Sequence, residues 1–414
     1  MQRTQNRTVN VGIDWADTEH VFHIDDGEGN VVVGTMQQSP KDIEETINTW
    51  SKRFPNTTFA LAIEASKGPL INGLLRYEDI QIFPINPAAL ANYRKSFAHG
   101  GGKNDPADAQ LLCDYLRNYR SKLRVLRRNE PLTEELAALG EDRRRFVDQR
   151  TKLANELTAL LKRYFPAVLQ LKAAKPYAEF LLKFLAKYPS LDVAQKAGVT
   201  KLRSFFHGLG LKRNADERAN AIVDATALTE DEVVIRTSVR RVNAIIAQLM
   251  ALNTTIRRYE ADIIQLVPQH DDFAVVKDLP GASHNTHCRI IAAMGDDRSR
   301  FPTANSLQAA CGIAPLTHQS GRQRLVTWRW AASKFLRQTF HEYAGLSLEH
   351  CAWARAFYDH QLSKGKTSQM ARRALAYKWL RIIHRCWRDQ VAYDDGLYMT
   401  RLKEAGSPLA EMLS

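Results

Sequence analysis

The sequence predicts an α/β domain followed by a long, mostly helical body, and three observations carry that expectation. The N-terminal segment alternates apolar and polar residues with the two-residue period of strands, and turn signals separate the runs. The centre holds two long stretches in helical period, one of them heptad-spaced. Beyond Pro268 the pattern is helical again and interleaves Lys and Arg with aromatic residues.

In chain order, TVNVGIDWA, HVFHIDD and NVVVGTM are three short strand-like runs parted by ADTE and DGEGN, and Asp26-Gly27 with Gly29-Asn30 marks a hairpin turn. A helix over 40–53 opens at Ser39-Pro40 and is rich in early acids. TTFALAIEA reads as a buried strand ending at Glu64. A helix from Pro69 to Tyr77, the strand IQIFPIN, a helix near 88–97 and, after the glycines of HGGGKN, a helix from Asp105 complete the segment. Three hairpin strands followed by strand–helix alternation is the order of a ribonuclease-H-like α/β domain, bounded here at 8–125.

From Thr133 to about Phe165 the pattern is one long helix, with Leu153, Leu157, Leu160 and Tyr164 in a stripe. A second covers about 237–267: Val242, Leu249, Ile256 and Ile263 hold one heptad position, Ile245, Leu252, Tyr259 and Leu266 the other. That repeat predicts a coiled-coil hairpin or a dimer seam, the plain alternative being a helix packed on its own domain. These helices bound a linker region at 130–268, whose stretch 166–236 reads as short irregular helices without an assignable job. A C-terminal helical domain at 269–400 begins with a turn at Leu279-Pro280-Gly281. SLQAACGIAP reads there as a short helix, THQSGRQR as a glycine-containing loop, and 328–392 as mostly helical.

With 414 residues the chain has room for two or three domains. No apolar run reaches membrane-spanning length and MQRTQNRTVN is too polar for a signal peptide, which predicts a cytoplasmic protein with no membrane partner. Five scattered cysteines without a CxxC pair read as reduced, mostly buried thiols and exclude a zinc or disulfide framework. The net charge of +13 calls for a polyanionic partner. Residues 1–90 hold 7 Lys/Arg against 12 Asp/Glu, a net of −5, so the remainder carries +18. Residues 321–390 hold 14 Lys/Arg against 4 Asp/Glu. Arg322, Arg324, Arg329, Lys334, Arg372 and Arg373 are the candidate phosphate contacts there. Trp328, Trp330, Phe335, Phe340, Tyr377, Trp379 and Trp387 are interleaved with them, although most such aromatics are core in any protein.

Four acids carry the chemistry. Asp105 and Asp108 lie one helical turn apart; capping explains them as well as metal binding does, because Asp105 suits an N-cap and Pro106 the first helical position. Asp14 in VGIDWA and Glu64 in ALAIEAS add two more at strand ends, where ligands of α/β sheets gather. Four carboxylates at one edge suit one or two Mg²⁺ ions, and two such ions clamp the attacking and leaving oxygens of a phosphoryl transfer.

GID with Asp14, IEAS with Glu64, INP at 85–87 and KNDPADAQLL together resemble the N-terminal domain of the insertion-sequence one-hundred-and-ten family. Its members are transposases with a RuvC-like DEDD domain, described as bridge-RNA-guided recombinases. LPG at 279–281, MGD at 294–296, Phe301 and CGIAPLTHQSG at 311–321 extend the resemblance, which covers roughly 10–125 and 270–390. One departure is PGAS where the family reads PGIG. The resemblance implies that Ser320 is a nucleophile forming a covalent link to DNA while Asp14, Glu64, Asp105 and Asp108 hold Mg²⁺. It also implies a structured guide RNA, double-stranded donor and target DNA, and a homo-oligomer, dimer or tetramer, with a site shared between subunits. By spacing alone, Ser320 before a glycine is a turn residue or a phosphate contact, and His318 invites a base role that nothing in the sequence secures. Two rivals stand beside this reading: a Mg²⁺-dependent Holliday-junction-resolvase-like nuclease using water, and a non-catalytic nucleic-acid scaffold.

Overall fold

The computed structural model describes residues 7–96, 105–171, 175–321, 323–327, 329 and 332–411, and the chain divides into two compact units, Met1–Arg128 and Asn129–Ser414. The first is a five-stranded mixed sheet with helices on both faces. β1 (Arg7–Asp14), β2 (Glu19–Asp25) and β3 (Val31–Gln37) form an antiparallel meander; α1 (Pro40–Arg53), β4 (Thr57–Ile63), α2 (Pro69–Leu74), β5 (Ile80–Pro84), α3 (Pro87–Lys95) and α4 (Asp105–Tyr119) follow. The order across the sheet is β3-β2-β1-β4-β5, with β4 parallel to both β1 and β5. The predicted strand order and the helix at 40–53 are thus present. Ser39 caps α1 by accepting from the Asp42 N–H, with Pro40 in its first turn.

Alternation along β1 and β4 builds two apolar layers. Val9, Val11, Ile13, Phe59, Leu61 and Ile63 face Ile43, Ile47 and Trp50 of α1 and Leu70, Ile71 and Leu74 of α2. Each fully buried side chain of this size contributes about 1.5–3 kcal/mol. The opposite face carries smaller residues: Ala60, Ala62 and Phe83 pack on Leu90 of α3 and on Leu112 and Leu116 of α4. Gly12 lies on that face, and a Cβ there would stand 1.9 Å from the Ala109 carbonyl oxygen, so α4 rests on bare backbone.

In the second unit α5 (Pro131–Tyr164) and α9 (Glu232–Leu266) run antiparallel, marked by contacts of Arg143 with Glu260, Phe146 with Tyr259, and Arg150 with Asn253. The heptad residues Val242, Leu249, Ile256 and Ile263 are all buried within this single chain. Between them α6 (Glu179–Lys187), α7 (Leu191–Gly208) and α8 (Ala215–Val223) fold onto one end of the pair, so the stretch 166–236 completes a core with Leu157, Leu161, Val242 and Leu249. A second core joins the other end to α10 (Phe273–Val276), α11 (His284–Met294), α12 (Ala304–Ala310), α13 (Lys334–Leu346), α14 (Ala352–Ser363) and α15 (Ser368–Asp389), followed by α16 (Asp395–Glu404) and α17 (Pro408–Glu411). The expected glycine-containing loop THQSGRQR is instead largely strand: its described residues fall in the hairpin of β6 (Leu316–Ser320) and β7 (Gln323–Thr327) with Gly321 between.

Two motifs gain a structural account. The Asp296 carboxylate of MGD accepts from the Glu130 N–H and the Thr133 hydroxyl, each at 2.6 Å, capping α5 where no local side chain does. At LPG, Gly281 has φ +74° and a Cβ there would meet His350 and the Leu346 carbonyl, so glycine is required. Ser283, where the family has glycine, sits at φ −99° in extended backbone at the N-terminus of α11, which needs no glycine, and its side chain makes no cap bond. No helix among the described residues is long and apolar enough to cross a membrane.

Replacing Gly12 with alanine is expected to lift α4 off the sheet at a cost of about 3 kcal/mol, lowering the melting temperature of the full chain. An unchanged melting curve would show that helix and strand do not meet so closely.

Candidate active site

The acids are gathered by register. Ile13 pairs with Ile63 in the parallel β1–β4 ladder, so the next residues, Asp14 and Glu64, leave adjacent strands side by side at the carboxyl edge. Both are half-buried. α4 crosses β1 antiparallel: Ala109 sits over Gly12, and one turn on the Cys113 thiol donates to the Asn10 carbonyl at 3.4 Å. Four helical residues rise about 6 Å and two strand residues about 6.7 Å. One turn before Ala109, Asp105 therefore falls at the level of Asp14. Asp105 is exposed, whereas Asp108 is 7% exposed and paired with Arg94 of α3 at 2.5 Å. Both acids stand in the first turn of α4, where the helix dipole favours negative charge. The lead-in HGGGKN lies outside the described residues, and Asp105 stands as the first residue of α4 rather than before it as an N-cap.

Among the described residues, no three His, Cys, Asp or Glu side chains close on one another tightly enough to hold a metal ion. The donor set nonetheless fits a hard divalent cation in kind: all four side chains are carboxylates, and Asp14, Glu64 and Asp105 are at least partly open to solvent. Arg94 supplies the local positive charge at Asp108. Sequence reasoning missed it, because its pairing depends on how α3 crosses α4.

Ser320 ends β6 and is exposed. Its following glycine has φ +54°, the left-handed conformation that glycine favours, and Ser320 pairs with Gln323 across the hairpin. His318 lies on the same strand face, two residues away; about 6.7 Å separates such positions, beyond direct hydrogen bonding. Leu325 and Val326 across the hairpin are 62% and 55% exposed.

Arg322 lies outside the described residues, as do Trp328, Trp330 and the side chain of Arg324, whose backbone pairs with Gln319. Lys334 is exposed at the start of α13; Arg329, Arg372 and Arg373 are half-buried. Arg337, which the sequence reading passed over, donates to the Arg329 carbonyl at 2.7 Å. Burial, and then the charge of Arg337, push the Arg373 guanidinium below its usual range. Of the interleaved aromatics, Phe340, Trp379 and Trp387 are core and Phe335 stacks under Arg289 at 5.1 Å, so they offer no free stacking face. All five cysteines are buried free thiols, and burial pushes Cys113, Cys288, Cys311 and Cys351 up to about 12, which removes thiolate chemistry.

Comparison with known proteins meets both regions. A DEDD transposase model of the IS110 type matches residues 11–166, and a model described as the transposase IS116/IS110/IS902 family matches 274–359. The IS117 mini-circle protein of Streptomyces coelicolor is 28% identical over 97% of this chain and 99% of its own length. The IS116 protein of Streptomyces clavuligerus is 24% identical over 94% and 96%, and the transposase of IS1111A from Coxiella burnetii is 22% identical over 58% and 52%. The chain is a transposase, one of the enzymes that cut and rejoin DNA. It belongs to the IS110 family of insertion-sequence transposases.

The departure at PGASHNTH has a measurable signature. His287 is 4% exposed, its ring edge-on to Phe273 at 5.6 Å, and neither ring nitrogen has a partner among the described residues. Burial, helped by His284, lowers its pKa to about 4. The unfolded chain takes up this proton first, so stability present above pH 6.5 is lost as pH falls from 6.5 to 4. The loss is on the order of 2 kcal/mol. Melting curves of the wild type and His287→Leu between pH 7 and 4 check this: the wild type must fall more steeply, and parallel curves would exclude His287 as the cause.

Proposed function

We propose that this transposase breaks DNA by attack of the Ser320 hydroxyl on a phosphodiester, with Asp14, Glu64, Asp105 and Asp108 as the metal-binding edge of a ribonuclease-H-like, RuvC-like domain. The observation that carries the reading is the register that sets Asp14 beside Glu64 with the first turn of α4 at the same level. The all-carboxylate donor set favours Mg²⁺, which when bound neutralises charge building on the phosphate and on the departing oxygen. Ser320 Oγ forms a bond to phosphorus, the ester bond to one strand breaks, and that strand leaves with a free hydroxyl; the reverse attack on the serine-linked phosphate rejoins DNA. Arg329, Lys334, Arg372 and Arg373, with Arg322 and Arg324 at the hairpin, bind the phosphates that flank the cut, and Arg337 steadies the Arg329 backbone.

The strong positive charge beyond residue 90 suits two nucleic acids at once, donor or target duplex and a structured guide RNA that chooses sequence by pairing. The exposed apolar pair Leu325 and Val326 beside Ser320 favours work in an oligomer, dimer or tetramer, in which the hairpin of one subunit meets the acids of another. The domain limits 8–125, 130–268 and 269–400 follow from the same reading, with a cytoplasmic, nucleoid-associated location.

Asp14→Asn is expected to abolish strand cleavage while nucleic-acid binding persists, read by denaturing gel and filter binding. Ser320→Ala, on an exposed hairpin, leaves folding unchanged and removes the covalent protein–DNA adduct. Free Mg²⁺-dependent cuts by Ser320→Ala would instead establish water as the nucleophile. Mixing Ser320→Ala with Glu64→Gln protein restores part of the activity if subunits share the site. Neutralising Arg372 and Arg373 together should shallow the salt dependence of binding by roughly 1–2 in log–log slope; an unchanged slope removes them from the interface.

A further inference from the structure

The acid edge has a neighbour that the cleavage scheme does not use. Trp15 follows Asp14 directly and is 48% exposed, at the only tryptophan so placed among the described residues. It borders a small open cleft of about 90 Å³ whose walls include Ile63, Ala65, Lys67, Pro69 and Asp17. Consecutive residues of a strand point to opposite sides. Ile13 faces the α1–α2 layer while Gly12 faces α4, so the cleft opens on the α2 side of the edge from which Asp14 and Glu64 emerge.

The loop that carries the indole is fixed. His20, fully buried, accepts the Ala16 N–H on Nδ1 at 3.2 Å, so Nε2 bears the proton and donates to Gln38 Oε1 at 2.9 Å. The Gln38 N–H donates to the Thr18 carbonyl at 2.7 Å. Burial lowers the His20 pKa, which keeps the ring neutral and the Ala16 bond in place. An exposed tryptophan on a rigid turn is a stacking platform rather than a stray side chain.

The walls select the part of a nucleotide that enters. They are mainly apolar, and Asp17 and the acid edge repel a phosphate; a neutral base fits, with Lys67 near its backbone. A base within a duplex is already stacked on both sides and cannot offer a face, so only an unpaired nucleotide satisfies the indole. We propose that the Trp15 cleft binds the unstacked base of a DNA nucleotide next to the phosphate being cut, and thereby positions the strand over Asp14 and Glu64. This rests on the cleavage reading above for which phosphate lies alongside, but the base site itself is tested without cleavage.

The probe is a single-stranded oligodeoxynucleotide carrying 5-iododeoxyuridine, photocrosslinked to the full chain and mapped by mass spectrometry. The Trp15 peptide is expected to be labelled in the wild type and in Glu64→Gln. Labelling falls about tenfold or more in Trp15→Ala and is retained in Trp15→Phe, which keeps a flat ring. Bound oligonucleotide without label at this peptide overturns the proposal. Equal labelling by the same sequence as a duplex, or by the matching RNA, overturns the unpaired-DNA assignment. Loss of cleavage in Glu64→Gln with labelling intact supports both readings; normal cleavage by that variant with Trp15 labelled sinks the metal edge and leaves the base site standing.

Discussion

The contact of α4 with the bare backbone at Gly12 is the constraint on which the first unit depends. A helix that rests on a strand without an intervening side chain has its rotation and level fixed together. Here that fixes Ala109 over Gly12, Cys113 against Asn10 and, beyond it, Arg117 on Asp25 at 2.5 Å. Strand register then sets the level of Asp14 and Glu64, and helix register that of Asp105 and Asp108. Small residues on the same face, Ala60 and Ala62, extend the close approach across the neighbouring strand.

The second unit solves a different problem, holding polar groups inside a helical body. Arg289 is buried between α11 and α13, where its guanidinium donates to Thr339 and Glu342 while Glu342 also takes Arg144 of α5. Thr133, His270 and Asp296 form a second buried chain at the start of α5. His270 accepts the Asp272 N–H on Nδ1, so it donates to Thr133, which in turn donates to Asp296. Serine- or threonine-based catalysis needs the opposite order, with histidine accepting the hydroxyl proton. This network is a joint between helices.

Much of this organisation was legible because apolar period and turn residues agreed along the first unit: Ser39-Pro40 began α1 and the IEAS segment ended β4. The heptad was legible too, but a repeat reports only that a face is buried, and the partner proved to be α5 and α6–α8 of the same chain. The β6–β7 hairpin was not legible, because Thr317, His318, Gln319 and Ser320 face solvent and carry no alternating apolar signal. Arg94 and Arg337 were invisible for a related reason: each acts on a residue reached through helix packing, and spacing along the chain does not encode that.

The Arg94–Asp108 pair has a bearing on how such a protein exists before it meets its substrate. Clustered carboxylates repel one another, and a fold that relied on a cation to quiet them would be unstable whenever the ion was scarce. A tethered guanidinium takes over part of that duty at the most buried of the four acids. The folded domain thereby carries its own countercharge at Asp108. Arg94 in this sense is a resident counterion.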